Sequence, residues 1–344
     1  MDNFQVLVAG DRFIPARVFS DECVKALPQA AIRELEFAWP DEAFGDVAEV
    51  HEASGTEKEL IEALRGCVAL LSQVAPVTKK VFANCPELRF VGVSRGGPVN
   101  VNLAAAREHG VVVANAPGRN ATATAEMTIS LILALVRNIP SAHQGLMSSQ
   151  WEGWRYRFEH TGIEIDGTTV GLIGYGAVGR IVNRILLAMG ATVLVYDPYI
   201  GAEENLSNLT IETNVEELFA RSTIISVHSR LTEETEGIVS RERIALMPPG
   251  GFIVNAARGR LVDYPAVASA LREGHLGGAA FDVFPTEPVD FSDPLFDLAR
   301  SGANVVLTPH IAGASQQVAR RAAAIVADDM SRFFRGEELR NRLT

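Results

Sequence analysis

The sequence is poor in cysteine, has no cluster of basic residues and contains no long hydrophobic run. Its three cysteines, Cys23, Cys67 and Cys85, form no CxxC pair and no Cys/His spacing, so we expect neither a disulfide framework nor a bound metal. A net charge of −11 without a Lys/Arg patch disfavours nucleic acid and anionic membranes as partners. The most apolar segment, Ile129–Val136, is too short for a transmembrane helix. The acidic N-terminus lacks the basic region of a signal peptide, so the cytoplasm is the expected compartment.

Hydrophobic residues make up 47% of the 344 residues, which is enough for a large core and, at this length, for two domains. In the first third of the chain, short apolar runs alternate with helix patterns that begin near Glu57 and span Asn102–His109. This alternation is typical of an α/β domain with a parallel sheet. The predicted strands are Gln5–Ala9, Val68–Leu71, Arg89–Val93 and Val111–Ala114.

A second series of apolar runs follows one long helix pattern, NATATAEMTISLILALVRNI, and an aromatic segment that starts at Trp151. These runs are apolar throughout, which indicates a sheet covered by helices on both faces. A final helix pattern, Gln316–Phe334, is predicted to return to the first domain. The predicted strands of the second domain are Thr169–Ile173, Thr192–Tyr196, Thr223–Val227, Phe252–Val254, Ala279–Phe281 and Val305–Leu307.

A glycine-rich turn, Gly174-x-Gly176-x-x-Gly179, joins the first strand of this second series to a helix pattern. The first glycine permits a tight turn, the second lets the backbone approach a pyrophosphate, and the third lets helix and strand pack closely. The amino end of the helix then faces the anion. The sequence therefore predicts a dinucleotide site in a domain inserted into another domain that begins and ends the chain.

Asp197 ends the next strand, 18 residues beyond Gly179. A carboxylate at this place accepts hydrogen bonds from the adenosine ribose and repels a 2′-phosphate, which favours NAD over NADP. The alternative is an ordinary solvated turn residue before Pro198. Arg230, in the segment HSRLT that starts at His228, slightly weakens the prediction of NAD, because a guanidinium there is a candidate phosphate contact.

Three charged residues stand just beyond predicted strand ends of the second domain: Arg258 in NAARGRLVD, Glu287 in DVFPTEP and His310 in TPHIAG. Each alone has an ordinary alternative, as a surface ion pair, a loop residue or a turn cap. Together, and with NAPGRNATATAE before the long helix, these motifs resemble the D-isomer-specific 2-hydroxyacid dehydrogenase family over nearly the whole chain. The separations of 29 and 23 residues between the three are similar to those of phosphoglycerate dehydrogenases.

This resemblance implies an α/β fold of two doubly wound parallel-sheet domains. A flavodoxin-like substrate domain is expected at residues 1–118 and 316–344, and an inserted Rossmann NAD-binding domain at 119–315. A homodimer through the cofactor domains is implied as well. Because the sequence ends soon after the last helix pattern, we expect no C-terminal regulatory domain.

The resemblance also assigns roles that suit the residue types. Arg258 is expected to bind the substrate carboxylate, His310 to exchange a proton with the keto oxygen, and Glu287 to orient the imidazole. Asp282 is expected to approach the nicotinamide carboxamide, and the backbone near Val178 and Ala256 to contact the cofactor. The predicted cofactor-binding residues are Gly174, Tyr175, Gly176, Ala177, Val178, Gly179, Asp197, His228, Ala256, Asp282 and Gly313.

Two loops of the first domain depart from the family pattern. In SRGGPVNVNL, Arg95 replaces a glycine, so it is either an additional anion binder or a side chain that points to solvent. In LSQVAPVT, Ser72 stands where phosphoglycerate dehydrogenases have arginine, which disfavours a phosphorylated substrate unless Arg95 compensates. The predicted substrate residues are Gln73, Val74, Arg95, Gly96 and Gly97.

The leading hypothesis is therefore an NAD-dependent dehydrogenase that acts on a small polar D-2-hydroxy acid or its 2-keto acid. Sugar acids, hydroxypyruvate, glyoxylate and 3-phosphoglycerate remain open as substrates. The alternative is a cofactor-sensing protein, similar to corepressors of the same fold, which would bind NAD(H) with negligible turnover. The acidic chain without a basic extension favours the enzyme.

Overall fold

The computed structural model describes residues 4–39, 45–200 and 210–344. Its strands, in chain order, are β1 (Gln5–Gly10), β2 (Ala31–Glu36), β3 (Gly45–Val47), β4 (Val50–Ala53), β5 (Cys67–Ser72), β6 (Phe90–Val93), β7 (Val112–Asn115), β8 (Thr169–Ile173), β9 (Thr192–Tyr196), β10 (Thr210–Ile211), β11 (Ile224–Val227), β12 (Gly251–Asn255), β13 (Leu276–Phe281) and β14 (Val305–Leu307). Its α-helices are α1 (Ala16–Ala26), α2 (Glu57–Leu64), α3 (Lys79–Asn84), α4 (Leu103–Glu108), α5 (Ala121–Val136), α6 (Ile139–Met147), α7 (Ala177–Ala188), α8 (Val215–Arg221), α9 (Arg241–Ile244), α10 (Tyr264–Arg272), α11 (Pro294–Arg300) and α12 (Gln316–Arg335). Contacts between elements divide the chain into unit 1, Met1–Asn120 with Ala314–Thr344, and unit 2, Ala121–Gly313.

Unit 1 contains a five-stranded parallel sheet in the order β2-β1-β5-β6-β7. The inner strands are buried and apolar because core clusters around Phe19 and Phe82 cover the sheet. The four strands predicted here are confirmed. The sequence analysis missed β2, an edge strand of alternating half-buried and exposed residues, and the short antiparallel hairpin of β3 and β4.

The C-terminal residues belong to the same sheet. The carboxylate of Asp329, buried on α12, accepts the backbone amide of Arg340 at 2.7 Å and the side-chain amide of Asn341 at 2.8 Å. The backbone of Asn341 and Leu343 then forms hydrogen bonds with β7. This segment covers the edge strand, whose backbone groups would otherwise lack partners.

Unit 2 contains a seven-stranded parallel sheet in the order β10-β9-β8-β11-β12-β13-β14. The six predicted strands are present, and the short β10 extends the sheet at one edge. After β10 the chain returns to the other side of β8, so the strand order reverses between β8 and β11. Ligands of doubly wound sheets bind at such a switch point, beyond the carboxyl ends of the strands.

The helix predicted from NATATAEMTISLILALVRNI is α5, which ends three residues before the pattern does, and a second helix, α6, follows it. α5 ends at Val136, Asn138 adopts a left-handed φ of 53°, and Pro140 lies in the first turn of α6. Asparagine tolerates this conformation, and a proline without an N–H group suits the start of a helix. Among the described residues no single helix is long and apolar enough to cross a membrane, although α5 and α6 together, bent by 65°, meet those criteria.

Candidate active site

The glycine-rich turn lies between β8 and α7, at the switch point of the unit 2 sheet. Gly174 has a φ of +100°, and a Cβ there would lie 2.6 Å from the amide nitrogen of Ser229. A Cβ at Gly179 would lie 2.3 Å from the carbonyl oxygen of Gly174. Both positions therefore require glycine for the fold itself.

Gly176 differs because the space beside it is open. It is exposed, and within the described part of the chain a Cβ at this residue would contact no atom within 4 Å. It is also the N-cap of the 12-residue α7 and offers no side chain to the amides of the first turn. An open backbone and uncapped amides at a helix amino end suit an anion. The residues present therefore fit the pyrophosphate of a dinucleotide.

Replacing Gly176 with serine separates cofactor binding from folding. The serine hydroxyl fills the open space and caps the amides of α7, so we expect an unchanged or higher melting temperature and an NADH affinity at least tenfold lower, about 1.4 kcal/mol. NADH fluorescence titration and thermal unfolding measure the two effects. Gly174→Ala is the comparison variant and should lower the melting temperature. If Gly176→Ser bound NADH as tightly as the wild type, the turn would not hold the cofactor.

Asp197 follows β9 beside this turn. Its Oδ2 accepts the amide of Tyr175 at 2.7 Å, and its Oδ1 accepts the amide of Tyr199 at 2.8 Å. A carboxylate oxygen has a second lone pair, so the side chain retains the capacity to accept hydroxyl groups. The two amides hold the carboxylate in place, and ribose binding by Asp197 stays a prediction.

His228 and Tyr175 are predicted cofactor residues whose side chains have hydrogen-bond partners within unit 2. The Nε2 of His228 lies 2.9 Å from the hydroxyl of Ser226, and burial lowers the pKa of His228 to about 4, so the ring is neutral at pH 7. The hydroxyl of Tyr175 accepts a hydrogen bond from Asn183 at 3.2 Å. Among the remaining predicted cofactor residues, Ala177 is exposed, Val178 and Gly313 are half-buried, and Ala256 is buried.

Arg258, Glu287 and His310 follow β12, β13 and β14, which are adjacent in the sheet of unit 2. The Nδ1 of His310 lies 2.6 Å from Oε2 of Glu287, and Oε1 of Glu287 accepts the amide of Phe284 at 2.9 Å. The carboxylate is thus held between the backbone and the imidazole. With Nδ1 occupied, Nε2 is the ring nitrogen that remains for a ligand.

The pair favours a protonated histidine. The hydrogen bond to Glu287 raises the pKa of His310, against the opposing effect of partial burial. Burial alone would raise the pKa of Glu287, but the hydrogen bonds from His310 and the Phe284 amide outweigh it and the pKa is lowered. The charge of Arg258 acts on both groups, so the three side chains form one electrostatic cluster.

Asp282 holds the loop that carries His310, a role that the sequence analysis missed. Its fully buried carboxylate accepts the Thr308 hydroxyl at 2.6 Å and the amides of Ile311 and Ala312 at 2.9 and 2.8 Å. Its carbonyl oxygen accepts the amide of His310 at 2.7 Å. These bonds maintain His310 at a φ of 51°, a left-handed conformation that is costly without such support. The predicted contact with the nicotinamide carboxamide stays a prediction.

Arg258 is exposed, and its Nη1 donates to the carbonyl of Ala257 at 2.7 Å. The buried Asn255 positions this segment, because its Nδ2 donates to the Arg258 carbonyl and its Oδ1 accepts the Ala257 amide, both at 2.9 Å. A Cβ at Gly259 would lie 2.0 Å from the carbonyl carbon of Phe284, so the Arg258 loop packs directly on the segment before Glu287. Asn255 is a second positioning residue that was not predicted.

The predicted substrate residues follow β5 and β6 in unit 1, with Gln73 and Val74 buried and Gly96 and Gly97 exposed. For Arg95 the structure shows a partner that neither alternative included, and anion binding by this residue stays a prediction. Its guanidinium forms an ion pair with Glu52 on β4 and donates to the Glu52 carbonyl at 3.2 Å. The partner belongs to the hairpin that the sequence analysis missed, and its negative charge lies beside the guanidinium.

The three cysteines of this structure are unsuited to act as nucleophiles. Cys23, Cys67 and Cys85 are free and buried, and burial raises the pKa of Cys23 to about 12 and that of Cys85 to about 11. Such thiols stay protonated and unreactive at neutral pH. Within residues 4–39, 45–200 and 210–344, no group of three or more His, Cys, Asp or Glu side chains is placed to hold a metal ion.

Comparisons with known proteins agree with this arrangement. Residues 129–312, more than half of the chain and all within unit 2, match the family model described as D-isomer specific 2-hydroxyacid dehydrogenase, NAD binding domain. The chain is 32% identical to a glyoxylate reductase of Korarchaeum cryptofilum, over 91% of this chain and 92% of that protein. The crystal structure of the TT0316 protein of Thermus thermophilus is similar with a TM-score of 0.77, at 28% identity, over 99% of this chain and 100% of that one.

The chain is also similar to longer proteins. It is 37% identical to a D-3-phosphoglycerate dehydrogenase of Methanocaldococcus jannaschii, over 86% of this chain and 55% of that protein. A D-3-phosphoglycerate dehydrogenase of Mycobacterium tuberculosis is 40% identical over 86% of this chain and 54% of its own length. The chain therefore spans about half the length of the phosphoglycerate dehydrogenases that it matches.

Proposed function

Because the chain belongs to the D-isomer-specific 2-hydroxyacid dehydrogenase family and carries its NAD-binding domain, we propose that it interconverts a small polar 2-keto acid and the D-2-hydroxy acid with NAD(H). This proposal rests on one observation. The Nδ1 of His310 lies 2.6 Å from Oε2 of Glu287, and Arg258 follows β12, the strand beside β13. A proton donor, the carboxylate that orients it and a cation are the groups that reduction of a keto acid requires.

Each of the three side chains has a separate role in the proposed reaction. Arg258 binds the substrate carboxylate through two parallel N–H bonds and draws electron density from the adjacent keto oxygen. Protonated His310 donates its Nε2 proton to that oxygen in reduction, and neutral His310 accepts the proton from the hydroxyl in oxidation. Glu287 keeps the imidazole oriented and favours its protonated form. A dinucleotide held at the glycine turn by Gly176 and the first turn of α7 would supply the hydride for reduction and accept it in oxidation.

NADH is the expected cofactor rather than NADPH. The carboxylate of Asp197 is fixed by two backbone amides at the end of β9, where a 2′-phosphate would meet its negative charge. Arg230 is the residue that weakened the prediction of NAD. It is exposed on the loop after β11, and its carbonyl accepts the Thr235 hydroxyl at 2.6 Å. Because Asp197 is fixed and Arg230 is exposed, we expect the protein to bind NADH more tightly than NADPH.

A panel of 2-keto acids tests this function. Purified protein is mixed with NADH, or with NADPH in parallel, and with glyoxylate, hydroxypyruvate, phosphohydroxypyruvate or keto acids derived from sugars, and absorbance is followed. Consumption of NADH that His310→Asn loses would support the proposal. Tight NADH binding without turnover of any keto acid would contradict it and favour a cofactor-sensing protein of the same fold.

A homodimer through unit 2 is the proposed assembly. Between α6 and β8, the side chains of Trp151, Tyr156 and Phe158 are 88%, 93% and 89% exposed, and large aromatic side chains clustered in one exposed segment mark an interaction surface. We expect the wild type to sediment as a dimer and the triple serine variant of these residues as a monomer. Phe291→Ser, which removes an exposed aromatic side chain elsewhere in unit 2, should remain dimeric. A wild type that is monomeric at micromolar concentration would contradict this assembly.

A further inference from the structure

The β3–β4 hairpin, which was not predicted from the sequence, is bonded to both loops that carry the predicted substrate residues. These are the loops that follow β5 and β6 in unit 1. The amide of Ser54, just beyond β4, donates to the carbonyl of Val74 at 2.9 Å. The amide of His51, within β4, donates to the carbonyl of Val99 at 3.0 Å. One strand of the hairpin therefore holds a residue of each loop.

Glu49, in the turn of the hairpin, joins the same two loops at their far ends. Its Oε1 accepts the amide of Lys79 at 2.6 Å and the side-chain amide of Asn102 at 2.8 Å. These two bonds lower the pKa of Glu49, so its carboxylate is charged at neutral pH. The loops are bonded to each other as well, since Val77 donates to the carbonyl of Asn100 at 3.0 Å and accepts the amide of Asn102 at 2.9 Å. The hairpin and the two loops thus form one hydrogen-bonded network.

Glu52, on β4, binds Arg95, the only charged residue of the loop after β6. The guanidinium forms an ion pair with the Glu52 carboxylate and also donates to the Glu52 carbonyl at 3.2 Å. Glu52 has a left-handed φ of 47°, a conformation that is costly for a residue with a side chain and that the two contacts support. The side chain of Arg95 is 19% exposed and that of Glu52 is 55% exposed. The pair therefore presents its negative member to the solvent.

A second guanidinium lies near this pair. Burial lowers the pKa of Arg119 to about 10, and the charge of Arg95 is close enough to act in the same direction. Without the carboxylate of Glu52, two neighbouring cations would remain in this part of unit 1. Guanidinium groups bind phosphate through parallel N–H bonds, so such a pair of cations would attract a phosphorylated molecule.

We propose that Glu52 is a specificity-determining residue, which keeps Arg95 from binding a second acidic group of the substrate and so disfavours phosphorylated keto acids. The ion pair has to break before the guanidinium can bind a phosphate, and the exposed carboxylate repels that phosphate. The loop after β5 has no charged residue that could take over the role of Arg95. This inference rests on the proposed dehydrogenase function.

Hydroxypyruvate and phosphohydroxypyruvate test this role, because they differ only by the phosphoryl group. We expect the wild type to reduce hydroxypyruvate with the higher kcat/KM. Glu52→Gln removes the charge but keeps the size of the side chain, and it should raise the kcat/KM for phosphohydroxypyruvate relative to hydroxypyruvate about tenfold or more, the equivalent of one hydrogen bond to a charged group. Glu52→Asn, which tolerates the left-handed conformation, repeats the test if Glu52→Gln does not fold.

Two further variants separate the charge of Glu52 from the integrity of the hairpin. Combining Glu52→Gln with Arg95→Met removes the released guanidinium, so it should cancel the rise in the ratio. Asp46→Asn removes an exposed carboxylate from the same hairpin, where Asp46 pairs with Nδ1 of His51 at 2.8 Å and not with Arg95. This control should keep the ratio within about twofold of the wild type.

Calorimetric titration with 3-phospho-D-glycerate and D-glycerate gives a readout that does not depend on turnover. We expect Glu52→Gln to bind 3-phospho-D-glycerate about tenfold more tightly than the wild type does, with little change for D-glycerate.

The outcomes distinguish this inference from the function on which it rests. A wild type that already prefers phosphohydroxypyruvate, an unchanged ratio in both Glu52 variants, or a rise that persists without Arg95 would overturn the role of Glu52 and leave the dehydrogenase reaction in place. A gain in 3-phospho-D-glycerate affinity that Arg95→Met cancels, in a protein that reduces no keto acid, would support the role of Glu52 and contradict the proposed function.

Discussion

Replacing His310 with asparagine is expected to lower kcat for 2-keto acid reduction by about 10²–10⁴-fold, the usual contribution of a positioned general acid. Asparagine suits the test because His310 has a φ of 51°, and asparagine accepts this left-handed conformation better than most residues. The Asp282 bonds to the surrounding loop stay intact. Steady-state rates at saturating NADH measure the loss, and NADH fluorescence titration should show that the cofactor still binds.

The pH profile of the same reaction should depend on Glu287. Reduction requires protonated His310, so the rate is full below the pKa of His310 and falls as pH rises through it. Because Glu287 raises that pKa, the falling limb of the wild type is expected above the ordinary histidine value. Glu287→Gln keeps a hydrogen-bonding group but removes the charge, so the limb should move to lower pH. Oxidation requires neutral His310, and its rising limb should move in the same direction.

A histidine on the surface provides the control. His143, exposed on α6, is replaced with asparagine, and this variant should match the wild type in kcat and in the position of the pH limb. If the profile of Glu287→Gln coincided with that of the wild type, a group other than His310 would govern the limb. If His310→Asn retained full activity, the proton would have another donor.

Most of the two sheets was predictable because their inner strands are buried on both faces and are therefore apolar throughout. That signal is absent from β2, an edge strand with exposed charged residues, and from the short β3–β4 hairpin. The end of α5 was placed three residues too late for a different reason. The apolar pattern includes Ile139, and only the backbone conformation of Asn138, with Pro140 after it, shows that the helix ends at Val136.

The glycine turn and the candidate cluster of Arg258, Glu287 and His310 could be selected from the sequence because the predicted chemistry restricts the residue type. Gly174 has a conformation and a close contact that no side chain fits, and acid–base work on a keto acid calls for histidine with a carboxylate. Their supports carry no such local signal. Asp282 was predicted only as a cofactor contact and Asn255 was not predicted, because the support that Asp282 gives comes from hydrogen bonds to atoms up to 30 residues away.

Arg95 shows how a distant partner bears on a role predicted from the sequence. Arg95 drew attention because it replaces a glycine, but the structure pairs it with Glu52, which lies 43 residues earlier. An ion pair between residues so far apart in the chain is not visible in one sequence.

Replacing Arg258 with alanine is expected to lower kcat/KM for the keto acid by about 10³-fold, or roughly 4 kcal/mol, because it removes the carboxylate anchor together with the cation beside the keto oxygen. Arg258→Lys keeps the charge but loses the planar pair of N–H donors. We expect it to lose about 10-fold to 100-fold, the equivalent of one hydrogen bond to a charged group. Steady-state kinetics over a range of keto acid concentrations give kcat and KM separately.

Arg260→Ala provides the matched control, since Arg260 lies two residues further along the same loop and pairs with Glu236 at 2.7 Å on the surface. It removes one positive charge from the segment and should leave kcat/KM within about twofold of the wild type. A rise in KM alone for Arg258→Ala would limit that residue to anchoring the carboxylate. Equal losses for both arginines would assign the effect to the charge of the whole loop. A loss in kcat and a rise in KM for Arg258→Ala alone would assign both carboxylate binding and keto polarisation to the guanidinium beyond β12.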